Sequence, residues 1–322
     1  MNRVFACYAA LFVLVSACAA QAQQYPGQTV RMIVAFPPGG GADVAARIVA
    51  QPLAEGLGQS VVVENVSGAG GTIGTARAAQ AAPDGYTLFV GTPSTHGTNP
   101  AVYPKLSYDP VRDFAPVGLI GASPFLLVAA PSLKATSVVE LLALARAHPG
   151  ELDYASYGNG TINHLVGELF SSMADIKVSH VPYRGGAPAM VDLLAGRVQY
   201  SFDSTAALSQ IRSGKVKLLG VTSEKRWSVL PDVPTVAESG LPGFSAYTWY
   251  GLFAPAATPV AVIEFLNRQL NAALATPGAK AGLAKLSLDS GGGPPDVLGK
   301  IVQDEIGKWA DVARRRNIRL DE

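Results

Sequence analysis

Cysteine is nearly absent from this chain. Among 322 residues only Cys7 and Cys18 carry a thiol, and both precede residue 23. A chain cut after Ala22 keeps neither, which excludes disulfides, a thiol nucleophile and a cysteine-ligated zinc site. Charge is scarce too: Asp, Glu, Lys and Arg together make up 15%, and the formal net charge is +1. With no basic surplus, a nucleic-acid partner is not expected. Beyond the N-terminal leader no segment offers the roughly 18 uninterrupted apolar residues of a membrane span. His96, His148, His164 and His180 show no metal-ligand spacing such as His-Glu-x-x-His, so no metal is expected.

Three signatures of chemistry are missing as well. Gly39-Gly40-Gly41 is followed by Ala42 and Asp43, not by the Lys-Ser/Thr of a phosphate loop, and Val44 stands where a dinucleotide fingerprint needs its third glycine. No Gly-x-Ser-x-Gly elbow is present to anchor a hydrolase triad. No cofactor is expected, and the chain reads as a binder, not an enzyme. The rival enzymatic reading is a hydrolase or isomerase pairing Asp203 with His164 or His96.

What is present begins with an export leader. Arg3 precedes an apolar run from Val4 to Val15, and Ala20-Gln21-Ala22 offers a small-residue cleavage site before Gln23. Val15-Ser16-Ala17-Cys18 also resembles a lipoprotein box, which would leave Cys18 lipidated. Removing residues 1–22 takes away Arg3 and no acid, so the mature chain is formally neutral and any anion site must be built locally.

About 300 mature residues exceed what one hydrophobic core serves, so two lobes are expected. Short β-branched runs alternate with helix-length amphipathic stretches, the pattern of helix-covered, mainly parallel α/β sheets. Strands are expected at 30–36, 61–64, 87–91, 126–130, 154–157, 178–181, 198–202 and 218–222. The apolar passages 115–130 and 247–254 read as crossings between lobes, placing residues 23–123 with 250–322 in one lobe and 124–249 in the other. The amphipathic stretch 301–316 reads as packing.

Six of the expected strands end in similar loops, rich in Gly, Ser, Thr and Asn. They run from Pro37, Asn65, Gly91, Gly158, Pro182 and Asp203. In an open parallel sheet such loops lie at the carboxyl edge, where ligands bind. Glycines there expose backbone N–H groups, and the helix that follows presents its positive end. Asp43 reads either as a cap for its helix or as a ligand contact. Asp203 reads either as an organiser of neighbouring loops or as an acceptor for the ligand. Tyr183 and Arg184 are placed to close over a ligand, and His96 and His164 each fall in a candidate loop.

Six stretches taken together resemble a known family. They are Tyr25-Pro26-Gly27, Phe36 to Asp43, Glu64-Asn65 with Gly68 to Gly71, Pro83 to Leu88, Val181 to Gly186, and Trp249 to Pro255. In this order they resemble the Bordetella uptake gene (Bug) receptors of tripartite tricarboxylate transporters. The resemblance implies a type II, periplasmic-binding-protein-like fold that closes on a small carboxylate: a di- or tricarboxylate, an acidic amino acid or an aromatic acid. It also implies delivery to membrane transporter subunits by a monomeric periplasmic receptor; a sensor coupled to a membrane signalling partner is the alternative. Carried over by position, the implied ligand shell is Phe36, Gly40, Asp43, Gly71, Thr92, Ser94, Tyr157, Asn159, Thr161, Tyr183 and Asp203, with ordered water as intermediary.

The leader makes a direct prediction. N-terminal sequencing of the protein recovered from the extracytoplasmic fraction should begin at Gln23. A membrane-retained product beginning at Cys18 would establish the lipoprotein reading instead.

Overall fold

The computed structural model describes residues 25–320, so the leader and both of its processing sites lie outside the described residues. The first half opens with β1 (Val30–Val34), α1 (Gly41–Leu57), β2 (Val61–Asn65), α2 (Thr72–Ala79) and β3 (Thr87–Gly91). In β1 the strand period of two sends Met32 and Val34 into one core and Ile33 into another on the opposite face. Helix α1 buries Ala42, Ala45, Ala46, Val49, Leu53 and Leu57, a three-and-four spacing that makes one apolar stripe. It stops at Gly58, whose φ of 65° is left-handed.

The short α3 (Asn99–Val102) leads to the long β4 (Phe114–Pro124), and β5 (Leu126–Ala129) follows after one residue. The second half continues with α4 (Val138–Ala147), β6 (Asp153–Ser156), α5 (Ile162–Ala174), β7 (Ser179–Pro182), α6 (Gly186–Leu194), β8 (Tyr200–Asp203), α7 (Leu208–Arg212) and β9 (Lys217–Val221). The chain then returns through β10 (Tyr247–Pro255) to α8 (Val260–Ala275), α9 (Pro277–Lys285), β11 (Asp289–Gly292) and α10 (Pro295–Arg315).

Two helix-flanked sheets result, of order β11-β4-β10-β3-β1-β2 and β7-β6-β8-β5-β9. The α/β class read from the sequence holds, but the expectation of mainly parallel sheets is refined. β1 pairs in parallel with β2 and β3, and β6 with β7 and β8, whereas β4, β5, β9, β10 and β11 join antiparallel. The sequence reading took β4 and β10 for connections because Gly121 and Pro124 interrupt the first, which also holds Pro116 and Gly118. Pro116 pairs with Phe253 of β10 beside a register shift between Leu252 and Phe253, and β11 reaches only residues 119–122, so proline falls at an irregular place in the ladder. Gly118 admits α8, since a Cβ there would lie 3.0 Å from Leu270.

The register fixes how the halves face. Tyr247 at the start of β10 pairs with Pro124 at the end of β4, while Gly251 pairs with Gly91 at the end of β3. Both crossings therefore leave the first sheet at the edge where β1, β2 and β3 end. In the second sheet Leu126 pairs with Asp203 and with Val221, so the crossings enter at the edge where β8 ends, beside parallel β6 and β7. The carboxyl edges of the two sheets thus look at each other across the crossing.

Helix α10 belongs to both halves. Leu298 and Val302 join the first-sheet cluster of Phe89, Trp249 and Phe253, whereas Trp309, Val312 and Ala313 join the cluster of Leu165, Phe170 and Phe202. The sequence reading had assigned this whole segment to the first lobe. Trp309 is fully buried, and its indole donates to Glu305 at 2.7 Å. Trp309→Ala should cost about 3–5 kcal/mol, the usual range for emptying an aromatic site of this size. Urea unfolding followed by circular dichroism measures it, and a loss below about 1 kcal/mol would refute the central packing role.

Candidate functional site

The first half of the site is built on three strand ends. After β1 the chain turns at Gly39, whose φ of 82° suits glycine, and α1 starts with Gly40 as its N-cap and no side-chain cap. After β2, Gly68, Gly70 and Gly71 take φ of 140°, 63° and 92°, and Gly71 is the N-cap of α2, again without a side-chain cap. Gly71 is wedged between the other two loops: a Cβ there would lie 3.0 Å from Thr95 and 3.3 Å from Phe36. After β3, Thr92 and Thr95 bond each other reciprocally, N–H to hydroxyl at 3.0 and 3.3 Å, which closes a π-helical turn and leaves Ser94 half-buried at its start. The implied contacts Phe36, Gly40, Gly71, Thr92 and Ser94 therefore lie on one sheet edge.

Asp43 organises this edge. It is 3% exposed, its Oδ2 accepts from the Gly39 N–H at 2.9 Å, and its Oδ1 accepts from Asn65 Nδ2 at 2.9 Å and from Arg47 Nε at 3.0 Å. The Arg47 guanidinium holds its carboxyl down at about 2, so it is ionised throughout the physiological range. Asn65 also donates to the Phe36 carbonyl at 2.9 Å, tying the end of β2 to the end of β1. Asp43 thus reaches back to the turn before its helix, and its oxygens are occupied by protein donors.

The second half mirrors the first in parts. Gly158 and Gly160 take φ of 133° and 72° after β6, and Thr161 is the N-cap of α5. Its hydroxyl donates to the Gly158 carbonyl at 2.7 Å and does not cap the helix. Asn159 is exposed at the tip. Gly185, with φ of 108°, is the uncapped N-cap of α6, and a Cβ at Gly186 would lie 3.0 Å from the ring of Tyr157. The Tyr157 hydroxyl donates to Asp203 Oδ1 and accepts from the Ser204 N–H, joining the ends of β6 and β8. Burial pushes the Asp203 carboxyl up to about 6, against the opposing pull of the Tyr157 hydrogen bond. Tyr183 leans away, donating to Asp192 at 2.9 Å, and Arg184 is exposed.

The histidines do not join Asp203, which is bonded to Tyr157. His96 is fully buried against Phe253, Phe89 and Phe114, at 4.2, 5.7 and 4.9 Å between ring centres, and burial pulls it down to about 3. His164 stacks on His180 at 3.8 Å. The acid–base pairing considered from the sequence therefore gains no contact here.

The sequence reading missed Tyr250, which β10 brings so close to Gly41 that a Cβ there would collide with its hydroxyl. It also missed two bonds between the halves: Thr205 Oγ1 to the Leu286 carbonyl at 2.7 Å and Trp227 Nε1 to Asp289 at 3.1 Å. Only the aromatic pair Trp249-Tyr250 hinted at the first, and nothing local hints at the others. Two hollows, of 590 and 340 Å³, lie elsewhere: one behind the Gly158–Thr161 loop and one beside the crossing, lined by Pro124, Trp227, Tyr247 and Asp289. The helix starts that begin on glycine without a side-chain cap, those of α1, α2 and α6, lie at the facing strand ends.

Comparison with known proteins agrees with this geometry. A family model described as "Tripartite tricarboxylate transporter family receptor" matches residues 45–318. Protein BugT of Bordetella pertussis is 38% identical over 314 residues, covering 96% of each chain. Among solved structures, Rpa4515 of R. palustris with adipate is 38% identical, with a TM-score of 0.81 over 92% of this chain and 100% of that one. MatC from Rhodopseudomonas palustris with bound malate is 38% identical, with a TM-score of 0.76 over 89% and 99%. The chain belongs to the tripartite tricarboxylate transporter receptor family.

Proposed function

We propose that this receptor works outside the cytoplasm, closes its two halves on a small dicarboxylate or related organic acid, and delivers it to a tripartite tricarboxylate-type membrane transporter. The observation that carries the reading is the set of helices that begin on glycine at facing strand ends. The first-turn N–H groups of α1, α2 and α6 meet no side-chain cap. Away from this edge α4 and α9 are capped by Ser137 and Thr276, while α8 and α10 start after Pro259 and Pro294 without a side-chain cap, so the glycine start is what sets the facing helices apart. A helix start favours an anion by about 0.3–1 kcal/mol through the helix dipole, besides the hydrogen bonds its free N–H groups donate.

A formally neutral chain gains little from bulk charge, so backbone donors supply the attraction. Relatives crystallised with adipate and with malate support a ligand carrying carboxylates at both ends. One carboxylate would meet the edge formed by Phe36, Gly40, Gly71, Thr92 and Ser94. Tyr157, Asn159, Thr161, Tyr183 and Asp203 would meet the rest of the molecule from the other side, with Asp43 keeping the first edge in shape. Ligand contacts to both halves would then shift an open–closed equilibrium toward closure.

A thermal-shift panel containing malate, adipate, citrate, glutamate and benzoate tests the ligand class on the mature protein. At about 100 times Kd a true ligand adds about 2.7 kcal/mol of stability. A panel with no shift anywhere would refute the carboxylate reading.

Asp203 adds a pH dependence whose sign follows from its raised value. Its folded form holds the proton up to about 6, against the ordinary 3.8, so its contribution to stability is complete below 3.8 and lost as the pH rises toward 6. Above that range its charge faces the ligand's own. Malate affinity of the native protein, divided by that of Asp203→Asn, should therefore fall between about pH 5 and about pH 7. Isothermal titration at both pH values reads the ratio, and a constant ratio would remove Asp203 from the ligand shell.

A further inference from the structure

The loop Gly158–Thr161 carries two of the proposed ligand contacts and also borders a hollow. The 590 Å³ hollow behind it is bordered by Asn159, His164, Glu168, Arg316 and Leu320. What does cross this space is the end of the chain. After α10 the backbone turns at Asn317, with φ of 51°, and the Ile318 N–H returns to the Ala313 carbonyl at 2.8 Å. The Leu320 N–H then donates to the Val102 carbonyl of α3 at 2.9 Å. Leu320 packs so closely on Gly160 that a Cβ there would overlap it, and Val102 would lie 3.3 Å from the same point.

A polar relay runs beside this apolar contact. The Gly160 N–H donates to His164 Nδ1 at 3.1 Å. That bond assigns the ring as neutral, with its proton on Nε2, and burial holds the histidine below its ordinary range in agreement. Nε2 stands 3.9 Å from Glu168 Oε1, an electrostatic contact too long for a hydrogen bond, and that oxygen accepts from the Tyr154 hydroxyl at 2.7 Å. The other oxygen, Glu168 Oε2, accepts from Arg316 Nε. Glu168 is 7% exposed, so its charge needs this partner.

We infer that residues 316–320 form a strap that holds the Gly158–Thr161 loop in its ligand-facing shape, with Arg316 and Glu168 as positioning residues acting through His164. The inference rests on the reading of that loop as part of the ligand site. The relay ends on a backbone N–H inside the loop, and Leu320 presses on the same residue. The strap therefore fixes one glycine from two directions. That glycine has a left-handed φ and no side chain of its own to hold it.

Removing Arg316 alone would strand a buried charge, so the test uses the double variant Arg316→Gln/Glu168→Gln, with Arg316→Lys as the conservative partner. Hydrogen exchange followed by mass spectrometry should show residues 158–164 exchanging about tenfold faster in the double variant, the scale of one lost charged hydrogen bond. Residues 39–44 should be unchanged, and Arg316→Lys should restore most of the protection. Malate affinity should weaken by about five- to tenfold in the double variant. Unchanged exchange at 158–164 would overturn the inference, as would equal acceleration throughout the second half, which would mark a merely structural ion pair. If the native protein binds no carboxylate, the ligand reading fails while the exchange measurement still decides the strap.

Discussion

A backbone N–H at the start of a helix has no partner within that helix, and at the starts of α1, α2, α5 and α6 no cap side chain supplies one, although Thr92 and Ser204 cap the short turns after β3 and β8. Gly40, Gly71 and Gly185 occupy N-cap positions where Ser, Thr, Asn or Asp would ordinarily bond the first turn. Thr161 could cap α5, but its hydroxyl turns to the Gly158 carbonyl. The donors are left for water or for a ligand. The remaining architecture keeps them in place. Asp43, Arg47 and Asn65 brace the turn before α1, the Thr92–Thr95 pair braces the turn after β3, and Tyr157 with Asp203 braces the opposite edge. Side chains hold the loops, and in the proposed function the backbone does the binding.

The facing of the two edges follows from connectivity. β4 and β9 run in the sense of the parallel strands and deliver the chain to the edge where those strands finish, and antiparallel β10 and β5 begin there. A strand entered from that edge must run against the parallel ones, as β10 and β5 do. The refinement from mainly parallel to mixed sheets is therefore what makes a site between the halves geometrically available. Thr205 to Leu286 and Trp227 to Asp289 then tie the halves at two points flanking the site.

Much of this was legible in the residues, and the boundary of legibility has physical causes. Strands such as 87–91 were readable because continuous β-branched and aromatic runs mark burial on both faces. The glycine loops were readable because left-handed backbone demands glycine in place. β11 was not, since Asp289-Ser290-Gly291-Gly292 has no strand propensity and pairs only along the edge of β4. The double role of α10 was also hidden: a hydrophobic stripe shows that a helix packs but not that its two ends pack on different cores. Arg316 meets Glu168 across 148 positions of sequence, a distance at which single-chain patterns carry no information.

Helix α10 has 21 residues, about 32 Å at 1.5 Å per residue, and each end is embedded in a different hydrophobic cluster. A rod clamped this way resists bending and stretching far more than rotation about its own length. Together with two strand crossings at one edge, it limits the degrees of freedom between the halves. Sliding of one sheet past the other would have to pull Trp309 or Leu298 out of its socket, whereas a small swing about the crossings would not. The same helix that looks like passive packing from its sequence would therefore constrain the path of any approach between the halves.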